Sequence, residues 1–208
     1  MVEPTSTPSL LEPFGPEHSS HFVVFAPGDQ GRLSDSAPSA IAAGLAKAGI
    51  HGIRFAFPPC DGKDGALRDA LLAERIREAA RLRAPSERLV LAGLSRGARV
   101  SAALAAELGA VGLVGFGYPF HARNNPDPNG RVEALAALPV PALIIQGTRD
   151  SHGNQEQIKG YNLPAHIRMH WLVDANHALH PRVRSGHTQE AQLAKAADVA
   201  ATFIRNLI

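Results

Sequence analysis

Six short apolar runs, most of them stopped by Gly, Pro, Ser or Asp, alternate with stretches of helical periodicity, and this rhythm restricts the fold. The runs are HFVVFAPG (21–28), GIRFAFPP (52–59), RLVLAGLS (88–95), AVGLVGFGYP (110–119), PALIIQGTRD (141–150) and HIRMHWLV (166–173). Most are continuous rather than alternating, the pattern of strands covered by helices on both faces. The last reads as a strand through the alternation of Ile167, Met169 and Trp171. Between them, residues 39–49 place Ile41, Leu45 and Ala48 on one helical face. Residues 66–83 turn Leu72, Ile76 and Ala79 inward and Arg68, Arg75, Arg77 and Glu78 outward. GARVSAALAAELG continues as a helix to Gly109, and residues 190–207 carry a stripe of Leu193, Ala197, Ala200, Ile204 and Leu207.

Strands and helices in alternation, joined by right-handed crossovers, give an α/β fold: a doubly wound, mainly parallel sheet of about six to seven strands without a lid domain. The chain has 208 residues, enough for one core, so residues 21–208 are expected to form a single domain. Residues 1–20, rich in Pro, Ser and Glu, read as a flexible arm or at most a degraded edge strand. Ligands of such sheets bind beyond the C-terminal ends of the strands, so chemistry is expected just after each apolar run.

That filter selects Ser95. It stands between Gly93 and Gly97, where a buried run becomes an alanine-rich helix. A turn this tight strains its central residue, and side chains two positions either side would collide with it. The serine hydroxyl then projects above the sheet at a helix N-terminus, where N–H groups and the macrodipole favour developing negative charge. This is the G-x-S-x-G nucleophile elbow; the alternative is a serine that merely caps the helix. An elbow serine needs a base and an orienting acid, in the order Ser, acid, His. Asp150 closes the fifth run and His177 follows the sixth, in DANHALH. His180, His187 and Asp174 lie nearby as rivals. The oxyanion requires two donors, expected from the backbone N–H of Arg96 and of Asp29, with Gln30 as the alternative in the APGDQG turn. The side chain of Arg96 opposes the helix dipole, so it is read either as paired with a carboxylate such as Asp29 or as a reader of acidic substrates.

LAGLSRGARV, LVGFGYPFH, ALIIQGTRD and DANHALH, in this order, resemble the α/β-hydrolase superfamily and, within it, small dienelactone-hydrolase-like proteins. They are also similar to the hydrolase-like domain of the KANSL-type subunits of histone acetyltransferase complexes and its small bacterial relatives. The resemblance spans roughly residues 21–207. It implies an eight-stranded fold or a shortened version of it, and a triad of Ser95, Asp150 and His177. Two departures stand out: Ser95 occupies the place of the cysteine in dienelactone hydrolases proper, and Asn176 stands where relatives often carry an acid.

The longest insertion on the active rim, YPFHARNNPDPNGR (118–131), is expected to bring Tyr118, Phe120 and His121, together with Gln30, to a shallow pocket, or else simply to pack. Cys60 lies on the same rim and reads as an idle thiol rather than a reactive one. No metal-ligand motif occurs among the ten histidines, and neither a dinucleotide nor a phosphate-loop pattern is complete, so no metal or cofactor is expected. The formal net charge of +2 comes without a basic run, which argues against nucleic acid. No apolar run approaches the roughly 18 residues of a membrane span. The N-terminus lacks the pattern of a secretory signal, and a single cysteine offers no disulfide framework, so a cytoplasmic monomer or homodimer is expected. The sequence therefore reads as a serine hydrolase for a small carboxylic ester or thioester, with a non-catalytic interaction module of the same fold as the alternative.

Overall fold

The computed structural model describes residues 11–29, 31–60, 64–123, 125 and 131–208. The seven strands are β1 (Leu11–Phe14), β2 (His21–Ala26), β3 (His51–Phe55), β4 (Arg88–Leu94), β5 (Gly112–Phe116), β6 (Ala142–Gly147) and β7 (Ile167–Leu172). The helices are α1 (Ser36–Lys47), α2 (Gly65–Ala80), α3 (Arg96–Leu104), α4 (Arg131–Ala136), α5 (Gln155–Lys159) and α6 (Gln189–Arg205). All strands lie in one sheet of order β1-β3-β2-β4-β5-β6-β7. Every pairing is parallel except that of β1 with β3.

Side-chain alternation along each strand sends residues to two separate cores. Phe22, Val24 and Ala26 of β2, with Leu89 and Leu91 of β4, face α2 and α3. Val23 and Phe25, with Val90 and Ala92, face α1 and α6. Burial on both sides explains why these strands read as unbroken apolar runs. The predicted helical faces hold: Leu72, Ile76 and Ala79 are buried, as are Leu193, Ala197, Ala200, Ile204 and Leu207.

Three expectations need correction. The N-terminal segment is not an arm over its whole length, because Leu11–Phe14 pairs antiparallel with β3, Leu11 opposite Phe55; residues 1–10 lie outside the described residues. Arg68 does not point to solvent. It is 8 % exposed, with its guanidinium 5.2 Å over the Phe57 ring and 3.3 Å from Asp29. The apolar runs also overshoot the strands, since β3 stops at Phe55 and β5 at Phe116.

Candidate active site

The residue between β4 and α3 sets the site. Ser95 has φ 48° and ψ −115°, a conformation that L-residues rarely adopt. Its neighbours explain how it is held there. A Cβ on Gly93 would lie 2.5 Å from the carbonyl carbon of Gly97, and a Cβ on Gly97 would lie 2.4 Å from the Pro27 carbonyl oxygen. Neither position has room for a side chain, so the two glycines let β4, α3 and the end of β2 close onto one another. The Ser95 N–H donates to the Phe116 carbonyl at 2.9 Å, which ties the turn to the end of β5.

Asp150 and His177 come to the same rim from β6 and β7. His177 Nε2 lies 2.9 Å from Ser95 Oγ, and His177 Nδ1 lies 2.9 and 3.0 Å from the two oxygens of Asp150. Three residues far apart in sequence thus form one hydrogen-bonded relay. Asp150 is buried, while the His177 side chain keeps 26 % of its surface exposed at the mouth. The carboxylate is well satisfied. Besides the imidazole, it accepts the His152 backbone N–H at 2.8 Å and the Gln146 amide at 2.9 Å. Such bonds fix its orientation.

Of the rivals to His177, His187 is exposed and its N–H bonds to Ser185, and His180 sits at the outer mouth with its ring 2.6 Å from the Gln189 amide. Asp174 does not reach His177. Arg182 binds its carboxylate through Nε at 2.8 Å, through the backbone N–H at 2.8 Å and through Nη2, and this holds its pKa down at about 2. Asp174 braces the histidine loop instead.

A cavity of about 640 Å³ opens over Ser95 and is lined by Gly28, Asp29, Leu94, Arg96, His152 and His177, among others. Asp29 and Arg96 line this cavity together with Ser95, and the Arg96 N–H opens α3, where helix N–H groups have no intrahelical acceptor. Gln30 lies outside the described residues. The Arg96 side chain pairs with carboxylates: it lies 3.3 Å from Asp29 and contacts Asp69.

The expected pocket residues need correction. Tyr118, Phe120 and His121 are at most 1 % exposed and do not line the cavity. After Gly117 (φ 58°) the chain dives inward. Tyr118 and Phe120 then stack edge-to-face at 5.0 Å, and the Tyr118 hydroxyl donates to the Arg131 carbonyl. Burial pushes the Tyr118 phenol up to about 12, so it stays a donor. His121 bonds to Ala122 and Gln157. Cys60 is half-buried against the core and is not part of the cavity wall.

Two residues escaped sequence reasoning. His152 packs its ring 4.3 Å from the His177 ring, while its own Nδ1 bonds to the His121 carbonyl. Burial lowers its pKa, so it is a neutral wall beside the relay. Gln146 is fully buried in β6 and bridges Asp150, the Tyr118 carbonyl and the Gly153 carbonyl. The signal for Gln146 was a lone amide inside an apolar strand. For His152 it was an imidazole two positions after the acid. Among the described residues, no group of three or more His, Cys, Asp or Glu side chains could hold a metal ion, and no helix is long and apolar enough to cross a membrane.

Solved structures share this architecture. An α/β serine hydrolase homologue from Coxiella burnetii is 18 % identical, with a TM-score of 0.69 over 95 % of this chain and 91 % of that one. A lidless α/β serine hydrolase from Xanthomonas campestris is 19 % identical, with a TM-score of 0.64 over 91 % and 87 %. Dienelactone hydrolase from Anabaena variabilis is 18 % identical, with a TM-score of 0.68 over 95 % and 91 %. No match to a curated protein sequence was found. The family model for the alpha/beta hydrolase domain matches residues 19–205, so nearly the whole chain, elbow and relay included, belongs to the α/β-hydrolase family.

Proposed function

We propose that the protein is a serine hydrolase that cleaves a small carboxylic ester or thioester through an acyl-enzyme on Ser95. The observation that carries this reading is the unbroken chain of contacts from Ser95 Oγ to His177 Nε2 and from His177 Nδ1 to Asp150, all near 3 Å. In the reaction, Ser95 Oγ attacks the carbonyl carbon and His177 Nε2 takes its proton. Asp150 holds the imidazole with Nδ1 protonated and stabilises the imidazolium that forms. The oxyanion is stabilised by the backbone N–H groups of Arg96 and Asp29, each worth roughly 2.7–4 kcal/mol in the transition state. Collapse expels the alcohol or thiol, which leaves with the proton from His177. Water then repeats the sequence on the acyl-serine and frees the acid.

The open cavity and the lidless relative both favour a small or flexible acyl group. The lone cysteine suits a reducing compartment, and we place the activity in the cytoplasm. The test is labelling by a fluorophosphonate, together with turnover of short-chain aryl esters, for the wild type and Ser95→Ala. Covalent label on Ser95 and turnover lost in the variant are expected. An unlabelled protein with no turnover above the variant would leave a non-catalytic module as the better reading.

A further inference from the structure

A second hollow, of about 430 Å³, adjoins the one over Ser95 and is lined by Gly65, Asp69, Arg96, Arg99, Ala103, Arg131 and Ala134. Arg96, Arg99 and Arg131 line both, so their guanidinium groups form the shared wall. The charges there do not balance. Arg99 Nη2 lies 2.7 Å from both oxygens of Asp69, which Arg96 also contacts. Arg68 and Arg96 share Asp29, each at 3.3 Å. Arg131 donates to the Pro119 carbonyl at 3.3 Å, and no carboxylate pairs with it among the described residues. Three guanidinium groups thus line the second hollow beside one carboxylate, Asp69.

Holding this excess is unfavourable without an anion. Burial and the neighbouring Arg99 and Arg96 both push the Arg131 pKa down. Like charges gathered on a concave wall repel one another, and a neutral side chain would fill the same space without that cost. The same arrangement focuses positive potential into the cavity where Ser95 waits. A guanidinium fork matches a carboxylate or a phosphate with two parallel hydrogen bonds.

We propose that this hollow seats an oxyanion on the substrate, so that the ester cleaved at Ser95 carries a carboxylate or phosphate on its acyl or alcohol part, held by Arg131 and Arg99. The inference rests on the hydrolase reading above. The shape of the wall supports it: Arg131 opens α4, its backbone carbonyl is anchored by the Tyr118 hydroxyl and its guanidinium is tethered to the Pro119 carbonyl, so the cation is held at the wall before substrate arrives.

The experiment compares two 4-nitrophenyl esters of equal acyl length, the hexanoate and the monoester of adipic acid. Adipate and inorganic phosphate serve as competitors against the neutral ester. The expected result is a kcat/KM at least about tenfold higher for the adipate monoester, the yield of one or two hydrogen bonds to a charged group. That preference should shrink as sodium chloride rises and should collapse in Arg131→Met, with partial recovery in Arg131→Lys. Stronger competition by adipate names a carboxylate as the recognised group; stronger competition by phosphate names a phosphate. Equal turnover of both esters, with neither anion competing, overturns the anion seat and leaves the hydrolase standing. Turnover of neither ester above the Ser95→Ala background overturns both readings. The wild-type ratio and its salt dependence decide the matter even where Arg131→Met does not fold.

Discussion

The backbone at Ser95 allows the cost of the elbow to be measured. At φ 48° and ψ −115° a residue with a Cβ carries roughly 1–3 kcal/mol of conformational strain. Ser95→Ala and Ser95→Gly both remove Oγ and both break the 2.9 Å contact with His177, so that loss cancels between them. Alanine keeps the Cβ and the strain. Glycine releases the strain but adds about 0.4–1 kcal/mol of backbone freedom to the unfolded chain. The glycine variant should therefore be more stable than the alanine variant by about 1 kcal/mol, or about 2–4 °C in Tm for a chain of this length. At an ordinary position of negative φ the same comparison would favour alanine by about 0.4–1 kcal/mol, so the sign decides. The assay is thermal and urea unfolding of the two variants side by side. A glycine variant less stable than the alanine variant would refute the claim that the strand–helix turn stores strain at Ser95.

Two further outcomes follow from the surroundings of the relay. Gln146→Leu leaves the Tyr118 and Gly153 carbonyls without their amide donor, at about 1–3 kcal/mol per buried group, and removes one of the donors that fix Asp150. Both Tm and kcat should fall, whereas Gln146→Glu, which sets a second carboxyl against Asp150, should gain stability relative to the wild type as pH drops from 7 to 5; no relative change would count against a shared proton there. His21, His152 and His170 have pKa values lowered chiefly by burial. The folded state thus binds fewer protons than the unfolded one below the ordinary histidine pKa of 6.5, and the stability present above that pH is lost as pH falls through the lowered values. The urea midpoint should be lower at pH 5.5 than at pH 7.5, and equal midpoints would contradict the burial of these rings.

The parts of the site that sequence makes legible are those governed by local rules. Ser95, Asp150 and His177 each follow a strand, and a parallel sheet brings every strand end to one rim, so position in the chain sufficed to place them together. Gly93 and Gly97 were legible because an elbow crowds those two backbone positions. What stayed hidden depends on contacts between distant segments. LEPF contains Pro13 and Glu12, which count against a strand, yet an edge strand tolerates both, and the Arg54 guanidinium reaches Glu12 at 2.8 Å. Arg68 has the residue type of a solvent-facing helix position, and only the folding together of the loops after β2 and β3, which carry Asp29 and Phe57, gives it partners. Tyr118, Phe120 and His121 follow a strand end, so the rim rule pointed them outward. The left-handed turn at Gly117 reversed the direction of the chain there.

That reversal also explains why the relay is formed in the free protein. Gly117 and Gly147 give the histidine loop its bed: a Cβ on Gly147 would lie 2.3 Å from the Ala175 carbonyl oxygen, and one on Gly117 would lie 2.9 Å from the His177 carbonyl oxygen. Thr148 accepts the Asp174 N–H at 2.8 Å, and the Arg149 guanidinium donates to the Asp174 carbonyl at 2.9 Å. The loop that bears Asp150 and the loop that bears His177 are thus fastened to each other just before Asp150. Ser95 is fastened to the end of β5, the strand between its own and that of Asp150. Little reorganisation remains for substrate binding to supply, which is the condition under which prepositioned groups lower a barrier most.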